Sequence, residues 1–282
     1  MSIKLKYILN GLECSFLKNS THMTFDECIA HNSFRLDNPK KQKKLVIHKY
    51  IPLRYLLVML KEKKMILRKV ESWEDPYENF FLKQKFVKPN SYESSSYDSL
   101  EGLAKGLYGM SWTSQDETDS LWRIYSPDRM SVRISTTVEK LCEIVGSEDD
   151  KWDVWIGPVT YKTDKELKSW LLQCKSIYNC DSFIEKMCQS FFIKRKEFDA
   201  EREYRLVVYC VKENRPGLCF QCLPETFITS YLIDPRVNQY EFDAIRACLV
   251  SVGVKEGKIS KSDLYYFQPQ RIEMPYEPFY DF

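Results

Sequence analysis

Leu53, Leu56, Leu57 and Leu60 recur at the i, i+3, i+4, i+7 spacing that places them on one helix face. Pro52 precedes them, where its fixed φ suits a first turn, and the cations of 61–64 (KEKK) stand where a helix C-terminus favours positive charge. Segment 45–50 (LVIHKY) before this helix and segment 65–70 after it read as short strands. The runs 108–113, 131–136, 204–211, 227–233 and 264–267 read the same way, and Val207, Val208 and Tyr209 make 204–211 the clearest of them. Helical patterns return at 165–177, 181–192 and 240–251, and Thr118 and Asp119 are placed to cap a short helix carrying Leu121, Trp122 and Tyr125. Strands and helices are mixed without regular alternation. That predicts an α+β fold, a single mixed or antiparallel sheet core with flanking helices. Residues 1–44 read as an N-terminal extension ending in the basic run 39–44 (PKKQKK), and 45–282 as a single α+β domain. The serine-rich stretch 90–99 reads as a loop.

Composition narrows the function more than the fold. With 44% hydrophobic and 29% charged residues the chain of 282 residues is not generally disordered. Its 42 Lys and Arg nearly balance 40 Asp and Glu, so whole-chain charge predicts neither a strong nucleic-acid binder nor a membrane-surface binder. No run approaches the about 20 apolar residues of a membrane span, and the first residues lack a signal-type apolar region. A cytoplasmic protein without membrane contact is the expectation. Only 9 glycines argue against a glycine-rich phosphate loop. Ten cysteines are scattered, which suits reduced thiols. Cys219 and Cys222 have CxxC spacing but no further ligand pair nearby, so no metal is expected there.

Candidate chemistry falls in four places. In 201–205 (EREYR), residues two apart on a strand share a face about 6.6 Å apart, so Glu201, Glu203 and Arg205 line one surface. Two carboxylates that close raise each other's pKa, while the arginine lowers both. Such a set suits a sugar hydroxyl or a developing cation, and equally suits an Arg–Glu ion network on a solvated sheet face. Ser111 and Thr113 share a strand face opposite Trp112, and Trp122 and Tyr125 share a helix face. Hydroxyls with aromatics make a pocket for a ribose and a stacked ring, or an aromatic helix packed on a sheet. Lys49 and Tyr50 end the first strand, and 73–78 (WEDPYE) is an acidic, aromatic loop. The run 194–196 (KRK) beside the acidic strand leaves a nucleic-acid target open.

Taken in order, Lys49-Tyr50, 74–78 (EDPYE), Ser111-Trp112-Thr113, Trp122 with Tyr125, and Glu201-x-Glu203-Tyr204-Arg205 resemble a bacterial family, domain of unknown function 2971, over about residues 46–267. Glu74 stands where that family usually shows Asn, and Ser131 where a glycine is common. More remotely, the order of basic strand end, leucine-striped helix, Ser-x-Thr strand and Glu-x-Glu strand is similar to that of ADP-ribosyltransferases. That resemblance implies NAD as substrate, with Glu203 catalytic beside Glu201, and with Lys49, Tyr50, Ser111, Thr113, Trp122, Tyr125 and Arg205 binding the dinucleotide. It also implies a toxin-like or phage-defence effector acting on a protein or nucleic-acid target. Lys49 departs from the His or Arg usual at its position. Two other readings remain: a non-catalytic nucleotide- or partner-binding module of the same fold, and a metal-dependent nuclease. Arg205 weighs against the nuclease, because a guanidinium stays protonated and makes a poor base.

Overall fold

The computed structural model describes residues 3–9, 12–18, 43–73, 75, 77–84, 86–87, 97–98, 105–146, 153–174, 186–187, 189–210 and 215–273. Strands β1 (Ile3–Leu9) and β2 (Leu12–Lys18) pair antiparallel with each other. β3 (Val46–Pro52) runs into α1 (Leu53–Glu62), which carries the leucine stripe; Lys63, in the left-handed conformation, ends the helix and feeds β4 (Lys64–Lys69). The short strands β5 (Phe86–Val87) and β6 (Tyr97–Asp98) pair with each other. β7 (Leu107–Thr113), α2 (Asp119–Tyr125), β8 (Ser131–Thr137) and α3 (Val138–Gly146) follow. Next come β9 (Asp153–Pro158), β10 (Thr160–Lys162) and α4 (Asp164–Gln173), the last opened by a Thr163–Glu166 capping box. β11 (Ile193–Arg195) pairs in parallel with β10, and a 3-10 turn (Lys196–Glu201) leads into β12 (Glu203–Tyr209). The chain closes with β13 (Gly217–Gln221), α5 (Pro224–Phe227), β14 (Ser230–Ile233), α6 (Gln239–Ser251) and β15 (Ile259–Lys261).

Nine strands form the main sheet in the order β13-β4-β7-β3-β8-β14-β15, with β12 on the other edge of β7 and β9 outside β12. Every pairing in it is antiparallel except β14 with β15. The expected α+β class with a mostly antiparallel sheet is what the chain adopts. One face is covered by α1, α3 and α6 through Leu53, Leu56, Leu60, Leu141, Val145, Ile245 and Leu249. The opposite face carries two separate apolar patches. One joins Phe80, Phe81, Trp170, Phe191 and Val207; the other is Tyr50 with Leu121 and Trp122 of α2.

The register around β7 positions everything that follows. β4 pairs with β7 only at Gly109 and Tyr108, while β3 pairs with it only at Thr113, through His48. Two strands thus share one edge of β7 and diverge, so the sheet forks beside Ser111. Gly109 is required there: a Cβ would lie 2.5 Å from the Trp73 indole, which rests directly on the strand.

Several expected elements differ. Segment 264–267 is a turn with Tyr266 and Phe267 exposed, because β15 already fills the place beside β14. Segment 227–233 divides, since Pro224 opens a short helix and the strand starts at Ser230. The helix expected over 165–177 ends at Gln173, with 175–177 outside the described residues. Over 181–192, only 186–187 and 189–190 are helical among the described residues. Most of 90–99 and of 1–44 also lies outside them, as do Cys28, Cys180 and Cys188. Among the described residues no helix is long and apolar enough to cross a membrane.

Candidate functional site

Where the sheet forks, Ser111 has no strand partner on the edge facing the gap, and the Lys49 ammonium donates to its carbonyl at 2.8 Å. Below this point lies a recess of about 90 Å³, lined by Lys49, Tyr50, Ser111, Thr113, Tyr125, Glu201 and Glu203 among others. It shares Lys49, Ser111, Tyr125 and both glutamates with a broader cleft of about 710 Å³, whose lining also includes Trp73, Phe198 and Ile124. That volume suits a dinucleotide-sized ligand. Three segments far apart in sequence therefore meet at one place.

The glutamates reach it through a reversal of the chain. Glu201 ends the 3-10 turn, Arg202 adopts a left-handed conformation (φ 45°), and Glu203 starts β12 opposite Thr113. Thr113 donates its hydroxyl to the Glu201 carbonyl at 2.6 Å, and Ser114 N–H donates to the Arg202 carbonyl at 3.0 Å. The Thr113 hydroxyl is thus spent on holding the turn. Ser111 differs: its side chain has no hydrogen-bond partner among the described residues and lines both cavities.

A buried ion cluster forms the floor. Lys194 of β11 lies 2.9 Å from Glu201, 3.4 Å from Glu203 and 3.7 Å from Glu78. Arg205, with no exposed surface, donates to Glu203 Oε2 at 2.8 Å, to the Phe191 carbonyl at 2.9 Å and to Glu78. The Trp73 ring covers its guanidinium at 4.6 Å. Burial pushes the Glu203 carboxyl up, but the Arg205 and Lys194 charges outweigh it, so Glu203 is held below the usual carboxylate range. At Glu78 burial wins against the same two cations and the carboxyl is raised. The Tyr161 hydroxyl accepts the Glu203 N–H at 2.7 Å, fixing the first residue of the strand.

The aromatic expectations separate. Tyr125 faces the cleft, stacks on Tyr50 at 5.8 Å, and has its hydroxyl pushed well up by burial and by the Glu201 and Glu203 charges. Trp122 does not reach the cleft. It is fully buried, edge-on to Tyr50 at 4.7 Å, and donates its indole N–H to Glu117. Tyr50 lines the recess, its hydroxyl pushed up to about 12 by burial. Arg205 is fully buried, with its donors on Glu203, Glu78 and the Phe191 carbonyl, so it orients carboxylates and presents nothing to a ligand. His48 beside Lys49 is buried, hydrogen-bonded to Ser135 at 2.8 Å, and its pKa is pulled down to about 4 by burial, which leaves it neutral at pH 7.

Lys194, Glu78 and Trp73 enter the sequence reading only as members of the runs 194–196 and 73–78, without individual roles, and Tyr161 does not enter it. By sequence the run 194–196 leaves a nucleic-acid target open, yet each of its charges pairs within the chain: Lys194 with the cluster, Arg195 with Asp75 and, at the surface, Lys196 with Asp199. A signal existed in Ile193-Lys194-Arg195, a short run set against the acidic strand, but nothing in the sequence said which edge it joins. Residues 74 and 76 of the acidic loop lie outside the described residues. Cys219 is exposed and Cys222 buried, its thiol pushed up to about 11 by burial.

Lys49 carries a pH signature. Burial lowers its ammonium to about 8, Glu203 opposes the drop and Arg68 adds to it. Its folded pKa therefore lies below the unfolded value of about 10.4, so between those values the unfolded chain binds more protons and stability rises with pH. Urea unfolding at pH 7.5 and 9.5 is expected to show this rise in the wild type, and a smaller rise in Lys49→Met. An identical rise in both proteins would contradict the assignment.

Compared with known proteins, the chain matches no family model and no curated protein, so its likeness to domain of unknown function 2971 rests on the motifs alone. Among solved structures, DarT of Thermus sp. 2.9 in complex with NAD+ aligns over 80% of this chain and 98% of its own, at 10% identity and a TM-score of 0.38. DarT in complex with ADP-ribosylated ssDNA aligns over 79% of this chain and 97% of its own, again at 10% identity and a TM-score of 0.38. At those values the similarity is remote.

Proposed function

We propose that the protein is an NAD-using enzyme that transfers ADP-ribose or hydrolyses NAD. The observation that carries this reading is the Glu203 carboxylate, held ionised at the floor of a cleft of about 710 Å³, near the unpaired Ser111 hydroxyl and the Tyr125 ring. As the bond from nicotinamide nitrogen to the ribose C1′ breaks, its electron pair leaves with nicotinamide and positive charge develops on the ribose. A carboxylate accepting the 2′-hydroxyl stabilises that charge, a contribution of about 2.7–4 kcal/mol for one well-placed polar group. Glu203 Oε1, with only a 3.4 Å contact to Lys194, is the oxygen open to this. Ser111 would hold the ribose, Tyr125 would stack on nicotinamide and Lys49 would pair with a phosphate. Water or a nucleophile of the acceptor then takes the ADP-ribose. The order of motifs shared with ADP-ribosyltransferases supports this independently, and an activity of this kind fits a toxin or phage-defence effector.

A second reading is a binding module of the same fold, and one observation favours it: both Glu203 oxygens already have cationic neighbours in Lys194 and Arg205. The nuclease reading fares worse, since those two cations occupy the space between the carboxylates that a divalent ion would need. Incubation of the purified protein with NAD, with nicotinamide followed by chromatography, separates the first two. Nicotinamide release is expected; saturable NAD binding without release would leave the binding module.

A further inference from the structure

The broad cleft is electrically divided. Carboxylates lie on its β12 side, whereas Lys49 of β3 and Arg68 of β4 stand on the side of the fork. Arg68 is exposed, and among the described residues its guanidinium has no ion-pair or hydrogen-bond partner. The Lys49 ammonium uses one donor on a neutral carbonyl and has two left. The remaining cations that line the cleft, Lys194 and Arg195, are committed to carboxylates. Two uncommitted like charges set on one wall repel each other, and Arg68 does lower the Lys49 pKa. An anion between them relieves that repulsion.

We propose that Lys49 and Arg68 form a two-point clamp for the diphosphate of a nucleotide ligand. Position along β7 fixes the ligand's direction. Arg68 pairs in register with Gly109, Lys49 bonds to Ser111, and Glu203 pairs with Thr113. Those levels are spaced about 6.6 Å apart along the strand, about 13 Å in all. The diphosphate lies toward the Arg68 end, and the sugar attached to it extends inward to Glu203. The exposed side chain of Ile66, two residues before Arg68 on β4, lines the same mouth and suits the outer nucleoside. A lone phosphate would satisfy one cation and leave the other unpaired, so the clamp selects diphosphates over monophosphates. The inference deepens the NAD reading and rests on it for the identity of the inner sugar.

Calorimetric titration of ADP, AMP and inorganic pyrophosphate into the wild type, Arg68→Gln and Lys49→Met tests it, with nicotinamide release measured separately. Removing one charge-assisted hydrogen bond to the ligand predicts about ten- to hundred-fold weaker ADP binding in Arg68→Gln. The melting temperature should hold, because Arg68 is exposed and unpaired. AMP should bind the wild type more weakly than ADP and be weakened less by the substitution. Equal ADP affinity in wild type and Arg68→Gln, equal weakening for ADP and AMP, or no ADP or pyrophosphate binding by the wild type would overturn the clamp. Diphosphate binding that weakens as expected, without any nicotinamide release, upholds the clamp and removes the NAD reading alone. Nicotinamide release with an unchanged KM in Arg68→Gln does the reverse.

Discussion

Glu203→Gln is expected to lower nicotinamide release by about 10²- to 10³-fold, the range for removing one well-placed polar group at a developing charge. The substitution keeps the shape of the side chain and removes only its charge, so NAD affinity should stay within a few-fold. Folding is not left untouched, because Glu203 is buried between Lys194 and Arg205. The glutamine can still accept from Arg205 through its carbonyl, but its amide then faces the Lys194 ammonium, donor against donor. A destabilisation of about 1–3 kcal/mol follows from that mismatch. Activity must therefore be compared at a temperature where both proteins are folded, with urea midpoints as the check. Glu201→Gln should cost turnover less. Glu201 meets Lys194 at 2.9 Å and the Tyr125 hydroxyl, so it shapes the pocket at one remove from the ribose. Equal loss of kcat in the two variants would move the catalytic assignment off Glu203.

Which parts of this site the sequence disclosed follows from the range of the forces involved. Periodicity is local, so the leucine helix and the strands around Lys49, Ser111 and Glu203 were legible from spacing alone, and alternation put Ser111 with Thr113 and Glu203 with Arg205 on common faces. Pairing is not local. That His48 meets Thr113 while Arg68 meets Gly109, leaving a fork at Ser111, depends on which edges two separate strands choose. The ion cluster was hidden for a related reason: Lys194 is buried only because β11 joins β10 in parallel and carries the ammonium under the glutamates. Trp122 and Tyr125 show the limit of helical spacing. Both lie on one side of α2, yet a single turn decides that one is sealed against Tyr50 and the other opens to the cleft. β9 and β13 escaped notice because their short apolar runs lack clear polar alternation, whereas α3 carries a legible pattern that the sequence reading passed over: Val138, Leu141, Cys142 and Val145 at i, i+3, i+4, i+7 behind Thr137. Segment 264–267 carried a β-favouring pattern, but β15 takes the edge of β14 before it.

The largest effect on stability is expected at Arg205. It is a fully buried guanidinium between Glu203 and Glu78, with its remaining donor on the Phe191 carbonyl and the Trp73 ring over its plane. Methionine has comparable length and fills the space, so little packing is sacrificed. What Arg205→Met removes is the charge, leaving Glu78, Glu201 and Glu203 to share Lys194. Breaking one side of a buried ion pair costs about 3–5 kcal/mol, because the stranded partner stays out of water. The carboxylates can escape that cost by taking up a proton. Burial already raises Glu78, and losing its strongest counter-charge raises it further. Its folded pKa then stands well above the unfolded value of about 4.3, so between the two the folded state binds more protons. Stability in that window grows as pH falls, the opposite slope to an ordinary salt-bridged carboxylate. Urea unfolding of Arg205→Met should therefore show its full deficit at pH 7.5 and a smaller one at pH 5. Adding Glu78→Gln should recover part of the deficit at pH 7.5 and little at pH 5, where the carboxyl is already protonated. A deficit under about 1 kcal/mol at pH 7.5, with no dependence on pH, would mean that the cluster is hydrated and that Glu203 is not held by Arg205 at all.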